Sequence, residues 1–231
     1  ALAHVMVAEA AHALQDKATR QAHLELALQE AQVGTTSVRQ TLKEGSLLRA
    51  ARWSLDDRDA QTSLQWLDQL PQGVARRTVA MRLRLKASRL AERPAQALDT
   101  ALLLAKHRAF SPTAADSIVR GLVMDLLANT HEVAQLQRVW KSLGTAQRLM
   151  PDLAVQAATH WLSLRGEAAV ARAWLLPIWE QWLRTPAALS VGQKIKLVRA
   201  LEQSLGHEQD PADREWLARI ESAQLAQPQD A

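Results

Sequence analysis

A small residue, a bulky apolar residue four positions later and another three beyond that recur along this chain, and few folds accept that spacing. The clearest copy follows the turn Arg165-Gly166-Glu167, where Ala171, Leu175 and Ile178 fall on one face of a helix. The small residue lets a second helix approach closely, and the bulky ones fill the space between neighbouring pairs. Equal steps of 37 residues lead back from Ala171 to Ala134, Ala97 and Ala60. A further step of 40 reaches Arg20, where a small residue is expected. Ala60 leads to Leu64 and Leu67, and Ala97 to Ala101 and Leu104; after Ala134 the apolar places hold Arg138 and Lys141. Self-similarity at this period marks a solenoid of helical hairpins. The expected architecture is all-α, a right-handed α-α superhelix of about five to six hairpins, forming one domain over residues 1–231.

Composition agrees with helices. The chain has eight Trp but one Phe and no Tyr, and few stretches are rich in the β-branched and aromatic residues that strands prefer. No Cys is present, which excludes disulfides, thiolate metal sites and cysteine nucleophiles. The formal net charge of +4 suits an anionic partner or membrane surface, and ordinary soluble domains reach it as well. No stretch is long and apolar enough to span a membrane. The chain opens at Ala1 inside a helical pattern, and is expected to be a piece of a longer protein.

Periodicity and breakers place helices over residues 2–14, 18–33, 37–55, 59–70, 74–90, 95–106, 112–128, 133–143, 151–164, 168–183, 190–205 and 211–223. Turns fall at Gln15-Asp16-Lys17, Asp56-Asp57-Arg58, Glu92-Arg93-Pro94 and around Gly166. Gly34-Thr35-Thr36 stops the second helix, Asp59 and Ser111 are N-caps, and Pro177 is expected to kink its helix. Residues 206–210 are a polar connection and 227–231 a frayed tail.

Three groups are candidate sites. Residues 76–93 hold seven Lys or Arg, and Arg82, Lys86, Arg89 and Arg93 share one helical face at i, i+4, i+7 and i+11. Such a stripe meets lipid headgroups, phosphates, propionates or an acidic partner, and otherwise serves as a solvated face. No aromatic residue interleaves it, which disfavours nucleic acid. Trp174, Trp179 and Trp182, with Trp140 and Trp161 upstream, either line a groove or pack between hairpins. None of the seven His pairs with another at helical metal-site spacing. His107 and His160 are the haem-ligand candidates against a structural reading. No glycine-rich phosphate loop or nucleophile motif is present, so an enzyme is not expected, and no catalytic or metal residue is assigned.

The hairpin texture resembles tetratricopeptide (TPR) repeats. Several stretches together are similar to the HemY family, membrane-anchored TPR-like proteins associated with haem biosynthesis. They include residues 7–11, His23-Leu24-Glu25, residues 37–49, Ala109-Phe110, Trp140-Lys141-Ser142-Leu143, residues 164–183 and residues 216–221. The resemblance implies an anchor outside this chain, a bacterial inner-membrane location and a soluble part on the cytoplasmic face. It also implies a non-catalytic scaffold for proteins such as late haem-biosynthesis enzymes, with no resident cofactor. A tetrapyrrole-binding module, with haem on His107 or His160, and a TPR adaptor unrelated to haem are the alternatives.

Overall fold

The computed structural model describes residues 1–32, 37–205 and 211–225, and among them every regular element is helical. The expected stop at Gly34, the connection 206–210 and the tail 227–231 lie outside the described residues. Chain packing divides the protein into two compact units, residues 1–119 and residues from 120 onward.

The first unit holds α1 (Leu2–Ala13), α2 (Lys17–Gln32), α3 (Ser37–Asp56), α4 (Ala60–Asp68), the single turn α5 (Gln72–Ala75), α6 (Thr78–Leu90) and α7 (Pro94–Lys106). The helix α8 (Pro112–Ala128) runs across the division. The second unit continues with α9 (Val133–Ser142), α10 (Thr145–Arg148), α11 (Pro151–Ser163), α12 (Ala168–Arg184), α13 (Val191–Gln203) and α14 (Pro211–Leu225). Four hairpins stand out: α1 packs on α2, α3 on α4, α6 on α7, and α11 on α12. Leu47, Trp53 and Leu67 lie in the core of the first unit, with Trp66 packed partly buried against it. Leu136, Leu153, Leu175, Ile178, Leu197 and Leu201 are fully buried in the second.

One turn geometry closes all four hairpins and also joins α7 to α8. Gln15, Arg58, Glu92, Arg108 and Arg165 have φ between 53° and 61°. In each turn that residue's N–H donates to the carbonyl three back, and the next N–H to the carbonyl five back, as Arg58 to Leu55 and Asp59 to Ser54 do. This pairing satisfies the last carbonyls of the preceding helix. Glycine is the residue that takes the left-handed position at no steric cost, and none of the five is glycine. Arg58 is exposed, so Arg58→Gly is expected to raise stability by about 0.5–1 kcal/mol in urea unfolding, the relief of backbone strain exceeding the entropy that glycine adds to the unfolded chain.

The period of 37 describes the hairpins only in part. The packing position is the fourth residue of each return helix: small in Ser63 of α4, Ala97 of α7 and Ala171 of α12, but Arg20 in α2. Ser63, Ala97 and Ala171 are fully buried, and the Ser63 hydroxyl donates to the Ala51 carbonyl of α3 (2.8 Å). Ala60 opens α4 instead, and Ala134, the second residue of α9, is exposed. Two steps of 37 do join the equivalent Ala97 and Ala171, but Ala60 and Ala134 occupy other positions, because the hairpins differ in length: α3 has 20 residues and α6 has 13.

The expected helix over 74–90 is broken as well. Arg77 is extended (ψ 144°) and precedes α6, so Arg76 and Arg77 stand apart from the α6 face. The helix α12 runs through Pro177 from Ala168 to Arg184. The two caps read from the sequence are present, Ser111 accepting from the Ala114 N–H (3.3 Å), and a further one appears at Ser190. The Asp59 side chain accepts from the Thr62 N–H (3.0 Å), and Ser190 with Gln193 forms a capping box before α13.

Candidate functional site

Apolar residues of α6 turn inward at Ala80, Met81, Leu85 and Ala87. The opposite face is consequently Val79, Arg82, Lys86, Arg89 and Leu90, all exposed, with Arg93 exposed just beyond the helix. Arg82, Lys86 and Arg89 thus share one side, as their spacing requires, whereas Arg93 follows the left-handed turn at Glu92 (φ 54°), so the i+11 relation of a continuous helix does not extend to it. Two of the four cations are held at their ends. Arg82 Nη2 donates to the Ala109 carbonyl (2.7 Å), with its guanidinium 5.7 Å from the centre of the Phe110 ring. Arg93 Nη2 donates to Gln61 Oε1 in α4 (2.7 Å). Neither contact is to a carboxylate, so neither offsets the charge. Arg84, on the flank of the same helix, is neutralised by Asp68 (2.7 Å).

The tryptophans belong to the interior of the second unit. Trp174 lies between Trp140, stacked at 4.9 Å, and Trp161, tilted to it at 5.0 Å. Trp179 meets Trp182 edge to face at 4.9 Å and Trp216 at 6.0 Å. Trp179 and Trp182 are each 3% exposed, and Trp174 is half-buried. Their area is spent on packing, where such ring pairs contribute about 0.5–1.5 kcal/mol beyond burial. Beside them α12 and α14 leave an open groove of about 550 Å³, lined by Leu176, Trp179, Leu183 and Ala218 among others.

The two histidine candidates differ. His160 is part-buried, its Nε2–H donating to the Thr130 carbonyl (2.8 Å) while Nδ1 lies 3.4 Å from the Ser163 hydroxyl. A haem iron on His160 would have to displace one of these partners. His107 is exposed at the end of α7, two residues before the carbonyl that Arg82 holds.

Groups far apart in sequence meet in two clusters that spacing did not reveal. His4 and His23 face each other across α1 and α2, their Nδ1 atoms 2.8 Å apart and sharing a hydrogen bond. Among the described residues no group of three His, Asp or Glu side chains is arranged to hold a metal ion. Arg20 takes the place of the expected small residue and reaches out of the hairpin. It donates to Asp57 (2.5 Å) and to His12 Nδ1 (2.9 Å), while Lys17 also pairs with Asp57 (3.2 Å) and the His12 ring stacks on Trp53. Three helices are pinned together there. The only signal in the sequence was a misfit, a long cation at a packing position.

Burial works to raise the Asp57 carboxyl, but hydrogen bonds and charge from Arg20 and Lys17 outweigh it and hold its pKa below the ordinary 3.8. Asp59 is held low by the Thr62 amide and hydroxyl. A carboxylate with a depressed folded pKa adds stability that is complete above its unfolded pKa and is lost as pH falls through the folded one. Stability is therefore expected to decline as pH drops below about 4. Asp57→Asn should lower stability at neutral pH and flatten that decline, measured by urea unfolding across pH.

The chain matches no protein-family model, no curated protein and no solved structure.

Proposed function

We propose that this chain is a non-catalytic, TPR-like helical scaffold that binds partner proteins on exposed helix faces. The observation that carries the reading is how the polar groups are used. Buried or part-buried ionisable groups serve as pins between helices, as Arg20 does with Asp57, Arg172 with Asp213 and His160 with Thr130. The outward face of α6, by contrast, keeps its charge available. A side chain locked into a structural contact is poorly placed to move protons or attack a substrate, whereas a rigid helix bearing uncommitted charge suits recognition.

The resemblance to HemY suggests which proteins are held: late enzymes of haem biosynthesis, at the bacterial inner membrane, with this part on the cytoplasmic face. Affinity capture with the full-length protein from gently solubilised membranes tests this. Enrichment of ferrochelatase or the porphyrinogen oxidase supports the haem assignment. Enrichment of cell-envelope assembly proteins instead leaves a scaffold and removes haem. No protein retained above background contradicts the scaffold itself.

A second reading, tetrapyrrole binding, draws on the exposed His107 near the anchored Arg82. It requires a Soret shift on adding haemin that His107→Ala abolishes, and an unchanged free-haemin spectrum rules it out.

A further inference from the structure

We infer that the exposed face of α6 is a docking surface for an acidic amphipathic helix of a partner protein. This rests on the scaffold reading and specifies its partner. The charge of the chain is unevenly placed: residues 1–119 hold sixteen Lys or Arg against twelve Asp or Glu, and the remainder twelve against twelve. Residues 76–93 alone carry seven cations and one carboxylate, Glu92.

Within the first unit several cations are neutralised by carboxylates, Arg20 and Lys17 by Asp57, Arg49 by Glu9 and Arg84 by Asp68. On the α6 face the pattern changes. Arg82 and Arg93 are held by a backbone carbonyl and an amide oxygen, which orient them and leave their charge uncompensated. Lys86 and Arg89, between them, carry no hydrogen bond or ion pair among the described residues. Like charges in a row repel and weaken the folded state, and an anionic ligand relieves that repulsion. Two of the four side chains are already ordered, so part of the entropy cost of binding them is removed in advance.

The apolar residues decide which anion fits. Val79 and Leu90 are 62% and 43% exposed on the same face as the cations. The order along the helix is apolar, cation, cation, cation, apolar, then Arg93. A helix with Glu at i, i+4 and i+7 spaces its carboxylates over about 10 Å, the rise from Arg82 to Arg89 along α6, and flanking leucines would cover Val79 and Leu90. A nucleic acid gains less, because the α6 face has no aromatic ring on which bases stack. An anionic bilayer would meet the charges but has no use for their helical spacing.

The test is fluorescence anisotropy with a labelled synthetic helix of about 20 residues bearing that Glu and Leu pattern. Controls are the same peptide with Gln for Glu, a short DNA duplex and vesicles of anionic phospholipid. The Glu peptide is expected to bind, to weaken as salt rises, and to bind at least about tenfold more weakly to the variant Lys86→Glu/Arg89→Glu. That variant should keep its helical circular dichroism and shift its urea midpoint only slightly: Glu at position 89 opposes the dipole at the end of α6, while breaking the row of like charges works the other way. Equal binding of the Gln peptide, unchanged binding by the variant, or tighter binding of DNA or vesicles overturns the inference. Failure of the peptide while the full-length protein still captures its proteins removes the α6 assignment and leaves the scaffold in place.

Discussion

Asp213→Ala is expected to cost about 3–5 kcal/mol, the range for breaking a buried ion pair from one side. Arg172 lies in α12 and Asp213 in the first turn of α14; the residues are 8% and 7% exposed. Arg172 Nη1 donates to Asp213 Oδ1 (2.7 Å) and to the Ser204 carbonyl at the end of α13 (2.6 Å). One guanidinium thus ties three helices. Removing the carboxylate leaves the cation buried with a carbonyl as its remaining named partner, and removes a negative charge from the start of α14. Hydrogen exchange should show the amides of α14 losing protection first, and urea unfolding should give the size of the loss. Replacing both partners with apolar residues, Arg172→Met with Asp213→Leu, is expected to recover most of it, because no charge is then left buried. A loss below about 1 kcal/mol, as at an exposed pair, would show that the pair does not hold α14.

Gly166→Ala should be the second most damaging change, at about 2–4 kcal/mol from overpacking and a lost hydrogen bond. A Cβ on Gly166 would lie 2.2 Å from Trp161 Nε1 and 2.3 Å from Cε2. The indole has little room to retreat. It is 4% exposed, packs against Trp174, and donates from Nε1 to the Glu167 carbonyl (2.9 Å). The glycine therefore serves close approach; the left-handed residue of this turn is Arg165 (φ 61°). Urea unfolding of Gly166→Ala, Trp161→Leu and the double variant forms a cycle. Most of the cost of the alanine should vanish when Trp161 is already gone. Additive costs would mean the clash is not with the indole.

Local signals located much of this fold. Polar clusters at Asp56-Asp57-Arg58 and Glu92-Arg93-Pro94 marked turns, and Asp59 and Ser111 are side chains that accept from the amides of the helices they start. Arg82, Lys86 and Arg89 of the stripe were legible because a helical face depends on 3.6-residue periodicity alone, whereas the end of α6 before Arg93 was not. What failed was equivalence between repeats. Ala60 and Ala97 match as letters but occupy different positions in their helices, while Ser63 and Arg20, which do occupy the packing position, do not look alike. Their roles depend on how long each preceding helix is, and no single period encodes that. The pins are illegible for a related reason. Arg20 and Asp57 are 37 residues apart, and Arg172 and Asp213 are 41 apart; only the docking of whole helices brings them together. The left-handed turn residues carried no glycine to announce them.

The central claim, that the α6 face meets a protein, is tested most directly by site-specific photo-crosslinking in cells. A photoreactive amino acid at Val79 leaves all four cations intact, and one at Gln156, an exposed position of α11 in the second unit, serves as the comparison. A discrete protein adduct is expected from position 79, lost when Lys86→Glu/Arg89→Glu is added, and none of equal strength from position 156. Adducts from 156 but not 79, or adducts at 79 with lipid alone, would contradict it.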